Sequence, residues 1–299
     1  MKKHTLSDWV SATRYWSFSV SAFPVLAAIA YLYATRDASC INVFNAVLAL
    51  VGAVVFHAAG NLLSDVGDYK TGADSKESFA VPNLVNHIFE TREYIRFAVS
   101  LLVVGIAIGL FLTSRCGWSL LIIGVIGSLL TLCYTQTKFY LLSDLHIFLV
   151  FGVIILLGTS VAATGSICWD VLWLTVPLGF ITLSVLHINN TRDIVTDQAV
   201  GIHTIASTMG ARCAVVTYCV YQVLPFVWMV CCAVGGVLPW TSLLCLLGII
   251  PAVQNVRQAS RFKVEGNQAI LMLDLSSAKL QLVFSLTLTA GLFLSLLVR

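Results

Sequence analysis

Two polar segments interrupt an otherwise apolar chain: NLLSDVGDYKTGAD, beginning at Asn61, and NNTRDIVTD, beginning at Asn189. Each opens with an Asn followed four residues later by an Asp. Asn61 and Asp65 form the first pair and Asn189 and Asp193 the second, offset by 128 residues. A further acid follows in each segment, Asp68 and Asp197. Residues three and four apart share a helix face, so Asn61, Asp65 and Asp68 point together, as do Asn189, Asp193 and Asp197. Each face offers two carboxylates and an amide oxygen. Such hard donors suit Mg2+, which keeps several waters and completes its octahedron with phosphate oxygens. Two faces of this kind could grip one diphosphate between metal ions. Asp74, after the Lys70-Thr71-Gly72 turn, is either an added ligand to the first site or an ordinary turn residue.

Basic residues stand close to both segments. Arg192 lies inside the second, Lys70 follows the first, and Lys138 follows Tyr134 in CYTQTKFY. Arginine and lysine contacts to phosphate neutralise a diphosphate leaving group. Orientation in a membrane also collects basic residues on one face, and Asn and Asp also cap helices. Two motifs in register favour the chemical reading. Carboxylates near a bilayer are costly without a use. The six histidines form no compact metal pattern; most are expected to satisfy local hydrogen bonds. His57 and His187, each within about a turn of a motif Asn, are candidates for holding the ligands or the acceptor.

The elements that must position these groups are membrane helices. Apolar residues make up 59% of the 299 residues and charged ones 10%, far from the composition of a soluble domain. Stretches of roughly 20 apolar residues recur along the chain. Nine spans are predicted: 16–34, 41–60, 96–113, 118–136, 146–164, 170–188, 212–233, 240–256 and 279–298. The first is read as a retained helix, since no small-residue cleavage site follows it. With the N-terminus inside, 14 of the 17 basic residues fall on the cytoplasmic side, and Arg36, Arg115 and Arg299 fall outside. Both acidic segments lie on the cytoplasmic side, in the two longest inner loops, about 61–96 and 189–212. Residues 1–299 read as one membrane domain, with two related halves (about 16–136 and 146–256) and a final helix at 279–298. The inner connector from Arg257 to Lys279, which includes Asp274, reads mostly as solvated. No run of Lys and Arg suggests a nucleic-acid surface, so membrane lipids are the expected neighbours. Nine cysteines show no CxxC spacing. Cys40, Cys116 and Cys168 share the outer face and are expected as free thiols unless one pair forms a disulfide.

The two acidic segments resemble those of UbiA-superfamily prenyltransferases, with 1,4-dihydroxy-2-naphthoate polyprenyltransferases of menaquinone synthesis as the most similar branch. RYW before the first span, CYTQTKFY after the fourth and AKLQLVFSLTLTAGLFL at the end extend the likeness over nearly the full chain. The resemblance implies an all-helical fold around a central cavity, dependence on Mg2+, a polyprenyl diphosphate donor and an aromatic acceptor. It also implies a bacterial plasma-membrane location with the active site cytoplasmic. Asp65, Asp68, Asp193 and Asp197 would hold Mg2+ against the diphosphate. Asn61 and Asn189 would add oxygen ligands, and Arg192, Lys70, Lys138 and Tyr134 would contact the substrate. Ser64, His57 and His203 depart from the pattern of the naphthoate branch and bear on the acceptor. Hydroxybenzoate, homogentisate, haem and glycerol phosphate lipids are other acceptors within the superfamily. An ion-coupled transporter is the alternative from another class, although its acids would be expected nearer the midplane.

Overall fold

A computed structural model describes residues 4–74 and 83–298. Lys2, Lys3, Lys76 and Arg299, which enter the charge count, lie outside these residues. The described chain is helical throughout, in the order α1 Leu6–Ala12, α2 Ser19–Thr35, α3 Val43–Thr71, α4 Thr91–Cys116, α5 Trp118–Thr137, α6 Ser143–Leu149, α7 Ile155–Thr164, α8 Thr175–Arg192, α9 Ile194–Ala199, α10 Ile205–Met209, α11 Ala211–Val234, α12 Ile249–Ser260, α13 Phe262–Glu265 and α14 Leu273–Leu294. A π-turn at Val150–Ile154 joins α6 to α7, and a 3-10 helix at Trp240–Gly248 leads into α12.

Eight helices among the described residues are long and apolar enough to cross a membrane. Their exposure pattern fits a bilayer as solvent. Only 17% of the most apolar window of α4 and 6% of that of α5 is buried inside the protein, leaving Val103 and Ile122 outward. A water-facing surface of that kind would be an aggregation site, whereas lipid tails accept it. The ninth expected span, 240–256, is helical but differs from the other eight. It begins as a 3-10 helix, and Gln254, Asn255, Arg257 and Gln258 thin the apolar content of α12.

The core lies where α2, α8, α11 and α14 meet, around Leu32, Leu178, Ile181, Met229, Phe284 and Leu288. Two amide side chains buried inside it are paired, as burial without a partner is expensive. Gln222 donates to the Ser184 hydroxyl at 2.8 Å and Asn255 donates to the Gln222 oxygen at 3.2 Å. Gly291 permits the tightest approach. The Thr241 carbonyl packs against α14 where a Cβ would stand, so the last helix docks flush on the Trp240–Gly248 segment. All nine cysteines are free thiols.

The acidic segments are more helical than loops would be. α3 has 29 residues and carries Asn61, Asp65 and Asp68 in its final turns, ending at Gly72 in a left-handed conformation (φ 77°). Asn42 caps its other end by accepting from the Asn45 amide. The polar triplet is therefore fixed by a rigid rod. The second segment straddles a break: α8 ends at Arg192, the chain turns at Asp193, and α9 carries Asp197.

Candidate active site

A cavity of about 1520 Å3 opens between α3, α4, α5, α6–α7 and α8, and its lining joins the two acidic segments. Asn61, Asp65, Asp68, Asp74, Asn189, Asp193 and Asp197 all face it. From Asp68 the wall follows α3 back to Ala49, a run of about 28 Å at 1.5 Å per residue. The far end is apolar, with Ile108, Leu112, Leu120 and Ile123, and Gly105, Gly109, Gly124 and Gly127 also line it. Open space extends beyond Gly109 and Gly124, where an added Cβ would meet nothing within 4 Å.

The first segment is held by two cations. Asp65 is buried and ion-paired with the Arg14 guanidinium. Arg14 itself holds a left-handed backbone (φ 55°), which is uncommon for a residue with a Cβ. Both Asp68 oxygens lie 2.8 Å from Lys138 Nζ, and the Ser64 hydroxyl donates to one of them at 3.3 Å. The Lys138 ammonium stands 5.2 Å from the centroid of the Tyr134 ring, within cation–π reach. Asn61 donates its amide nitrogen to the Thr13 carbonyl at 2.9 Å and to the Ser17 hydroxyl at 3.0 Å. That arrangement orients the side chain and keeps its carbonyl oxygen for another partner. One buried oxygen of Asp74 has no hydrogen-bond partner among the described residues.

In the second segment Arg192 is the hub. Its Nε and Nη2 donate to the Asp193 carboxylate at 2.8 and 2.9 Å, and Nη1 donates to Asp274 at 2.7 Å and to the Leu271 carbonyl at 3.3 Å. Nη2 also donates to the Asn189 oxygen. Arg192 and Asn189 are thus bound to each other, and for either to reach a phosphate or a metal these contacts must exchange.

Several expectations are corrected. Lys70 is exposed and does not line the cavity, because it sits about 200° around the helix from Asp68. Tyr134, in contrast, is part of the lining. Asp274 is no solvated connector: it faces the cavity through Arg192. His187 is fully buried and bonded, to Asp144 at 2.8 Å and the Ala214 carbonyl at 3.1 Å, and does not reach the cavity. His57 faces the cavity with its Nδ1 2.9 Å from the Ser21 hydroxyl, and His203 is outside the lining. Sequence reading missed Arg14, Asp274 and Asn267. The only signal for Arg14 was its place in RYW.

Among the described residues, six carboxylates (Asp65, Asp68, Asp74, Asp193, Asp197 and Asp274) and three cations (Arg14, Lys138 and Arg192) line the cavity. The excess of negative charge favours metal cations. No group of three or more His, Cys, Asp or Glu side chains among the described residues forms a ready cage. That fits Mg2+, which takes one or two carboxylates and completes its shell with water and phosphate. Burial, followed by the neighbouring Asp193 charge, pushes the Asp197 carboxyl up to about 6. Burial, then Asp68, also raises that of Asp74.

These shifts have two consequences of opposite sign. Metal binding displaces the proton, so Mg2+ affinity is expected to weaken by up to about tenfold per pH unit as pH falls below about 6. A raised carboxyl pKa means the folded state holds the Asp197 proton more tightly than the unfolded chain. The Asp197 contribution to the stability of the metal-free protein therefore grows as pH falls from 7 through 6, and is complete near the ordinary carboxyl range. Calorimetric titration of Mg2+, and thermal unfolding in EDTA of the wild type against Asp197→Asn at pH 5 to 7.5, check both. Parallel trends would contradict this electrostatic account.

Comparison with known proteins agrees with this architecture. The sequence profile described as the UbiA prenyltransferase family matches residues 21–297. UbiA prenyltransferase domain-containing protein 1 of Gallus gallus is 31% identical over 293 residues, spanning 96% of this chain and 85% of the relative. The apo structure of a UbiA homolog from Aeropyrum pernix K1 superposes with a TM-score of 0.72 at 18% identity, covering 95% of this chain and 98% of that one. A UbiA homolog from Archaeoglobus fulgidus, solved bound to DMAPP and Mg2+, has a TM-score of 0.57 at 10% identity, covering 94% and 98%. At these identities the solved structures establish the shared fold, and the profile match over nearly the whole chain establishes the lineage: this integral membrane protein belongs to the UbiA prenyltransferase family.

Proposed function

We propose that the chain transfers a polyprenyl group from its diphosphate to an aromatic acceptor in a Mg2+-dependent reaction, with 1,4-dihydroxy-2-naphthoate as acceptor and demethylmenaquinol, the reduced form of demethylmenaquinone, as product. The observation that carries this reading is a single cavity that joins an acidic, cation-lined end to an apolar gallery about as long as a bilayer core is thick. A prenyl diphosphate has the same division into an anionic head and a long hydrocarbon tail. The Archaeoglobus fulgidus homolog was solved with a short donor of this class and Mg2+.

Asp65, Asp68, Asp193 and Asp197 are placed to hold the metal, with Asp74 and Asn61 as further oxygen donors. Bound Mg2+ supplies positive charge to the departing diphosphate. Lys138 and Arg14 flank the same position and add to that stabilisation. Asn189 and Arg192 join once their mutual contact opens. Departure of diphosphate takes the electron pair of the C–O bond and leaves an allylic cation. The electron-rich ring carbon of the acceptor attacks it, and for the naphthoate the carboxyl group then leaves. The apolar gallery keeps water from the cation, and Tyr134, one face of which already carries the Lys138 ammonium, offers its other face.

The polar end is proposed to face the cytoplasm, on the strength of the basic-residue bias. The Gallus gallus relative is eukaryotic, so nothing in the comparisons supports a bacterial membrane. Incubating purified protein with farnesyl diphosphate, 1,4-dihydroxy-2-naphthoate and Mg2+ is expected to yield the prenylated, decarboxylated naphthoquinol by mass spectrometry. No product with this acceptor, alongside prenylation of hydroxybenzoate, would replace the acceptor assignment.

The gallery also predicts a chain-length effect. Leucine at Gly109 and Gly124 would fill space now open to the cavity. The double variant is expected to keep its rate with geranyl diphosphate and to lose about tenfold or more with a donor of eight isoprene units. Equal rates for the two donors would place the tail elsewhere.

A further inference from the structure

One cavity-lining histidine lacks the hydrogen bonds that a buried imidazole needs. His146, on α6, is 5% exposed and lines the cavity. Its Nδ1 is buried without a hydrogen-bond partner among the described residues. Its Nε2 has no partner there either and retains exposed surface at the cavity wall. A neutral imidazole carries one N–H donor and one acceptor, and leaving them unmet in a buried site is costly. His57 and His187, by contrast, both bond to their surroundings.

The neighbourhood of His146 is specific. Its ring meets Tyr134 edge-on at 5.1 Å between centroids, and Tyr134 in turn carries the Lys138 ammonium on its face. α6 and α8 run antiparallel, with Phe148 against Gly179 and Asp144 bonded to His187. His146 is therefore level with the intervening turn of α8, whose Thr182, Val185 and Leu186 line the same cavity. Thr182 is 4% exposed and its hydroxyl has no partner among the described residues. Rotation about χ1 exchanges that hydroxyl with the methyl group. Thr182 lies seven residues before Asn189, about 10 Å along the helix from the acidic end. The pair thus stands between the acidic end of the cavity and its apolar gallery.

We propose that His146 and Thr182 are the acceptor-anchoring pair, hydrogen-bonding the oxygen substituents of a hydroxylated aromatic ring so that a ring carbon faces the allylic end of the donor. This rests on the prenyl-transfer reading above and adds a residue-level site for the second substrate. A phenolic hydroxyl both donates and accepts, and so meets an imidazole nitrogen and a threonine hydroxyl in either tautomer. Edge-on contact with Tyr134 leaves the imidazole rim free to do this.

The test is steady-state kinetics with Mg2+ and farnesyl diphosphate, using 1,4-dihydroxy-2-naphthoate and 1-hydroxy-2-naphthoate as probes. His146→Phe keeps an aromatic ring beside Tyr134 and removes both nitrogens. The variant is expected to raise the KM for the dihydroxy probe about tenfold, the effect of one unmade hydrogen bond, with the KM for farnesyl diphosphate within about twofold of wild type. The penalty shrinks with the monohydroxy probe, and His146→Gln, which restores a donor and acceptor, recovers most of it. Thr182→Val, nearly isosteric, is expected to raise the acceptor KM about threefold or more and carries the test if His146→Phe does not fold. An unchanged acceptor KM, or equal penalties with both probes, overturns the proposal while leaving prenyl transfer intact. A wild-type protein that releases diphosphate with neither probe overturns the acceptor reading and this inference together.

Discussion

Replacing Asp65 by Asn and Asp193 by Asn together is expected to lower kcat by at least about 1,000-fold at saturating Mg2+ and donor, since each removes one charged ligand from the diphosphate position and a single electrostatic contact of this kind is worth about 100-fold or more. Each single variant should lose less than the pair. Asn keeps the shape and removes the charge, and the Arg14 side chain left behind is 40% exposed and can be solvated. The double variant is therefore expected to fold, and release of radiolabelled diphosphate measures the loss. Half-maximal Mg2+ should move up at least tenfold in either single variant. A double variant with wild-type turnover would remove the acidic segments from the chemistry.

Lys138→Met is expected to produce the next largest effect, on stability and on rate at once. Lys138 is largely buried and meets both oxygens of Asp68 at 2.8 Å. Removing one partner of such a pair leaves an uncompensated buried charge and typically costs about 3–5 kcal/mol. Lys138→Met should accordingly lower the unfolding temperature in EDTA, and adding Asp68→Asn should recover much of the loss, because the orphaned charge goes with it. In activity the two changes should not compensate, since the metal needs the carboxylate and the diphosphate needs the ammonium. Thermal unfolding and kcat on the four proteins of the cycle separate these effects. Recovery of activity along with stability would make Lys138 a purely structural partner of Asp68.

Local sequence carried much of this architecture. Apolar runs of bilayer length identified the spans because that signal is strong and needs no tertiary information. Helical spacing placed Asn61, Asp65 and Asp68 on one face, and α3 presents them so. What could not be read locally is pairing across the fold. Arg14 and Asp65 are fifty-one residues apart and Arg192 and Asp274 eighty-two, and nothing in either neighbourhood announces its partner. Asp274 looked like a connector because its segment lacks the repeated motif, yet α14 begins beside it and carries it to Arg192. Lys70 failed for the opposite reason: proximity in sequence suggested a shared site, but helix rotation turns it away. Nothing in the sequence around His146 marks it, since its lack of hydrogen-bond partners is a property of the fold.

The resting arrangement of charges also has a functional reading. Arg14, Lys138 and Arg192 are each paired with a carboxylate of the two acidic segments. In the proposed reaction these pairs would exchange partners, the carboxylates turning to the metal and the cations to the diphosphate.

The two acidic segments are proposed to hold one diphosphate jointly through divalent metal. Diffraction from crystals grown with Mn2+ and farnesyl thiodiphosphate would reveal this, since manganese is located by its anomalous signal. The predicted result is metal density in contact with Asp65 or Asp68 and with Asp193 or Asp197, with the diphosphate between them and the farnesyl chain running toward Gly124. Manganese bound away from these four carboxylates, or a diphosphate outside the cavity they line, would contradict it.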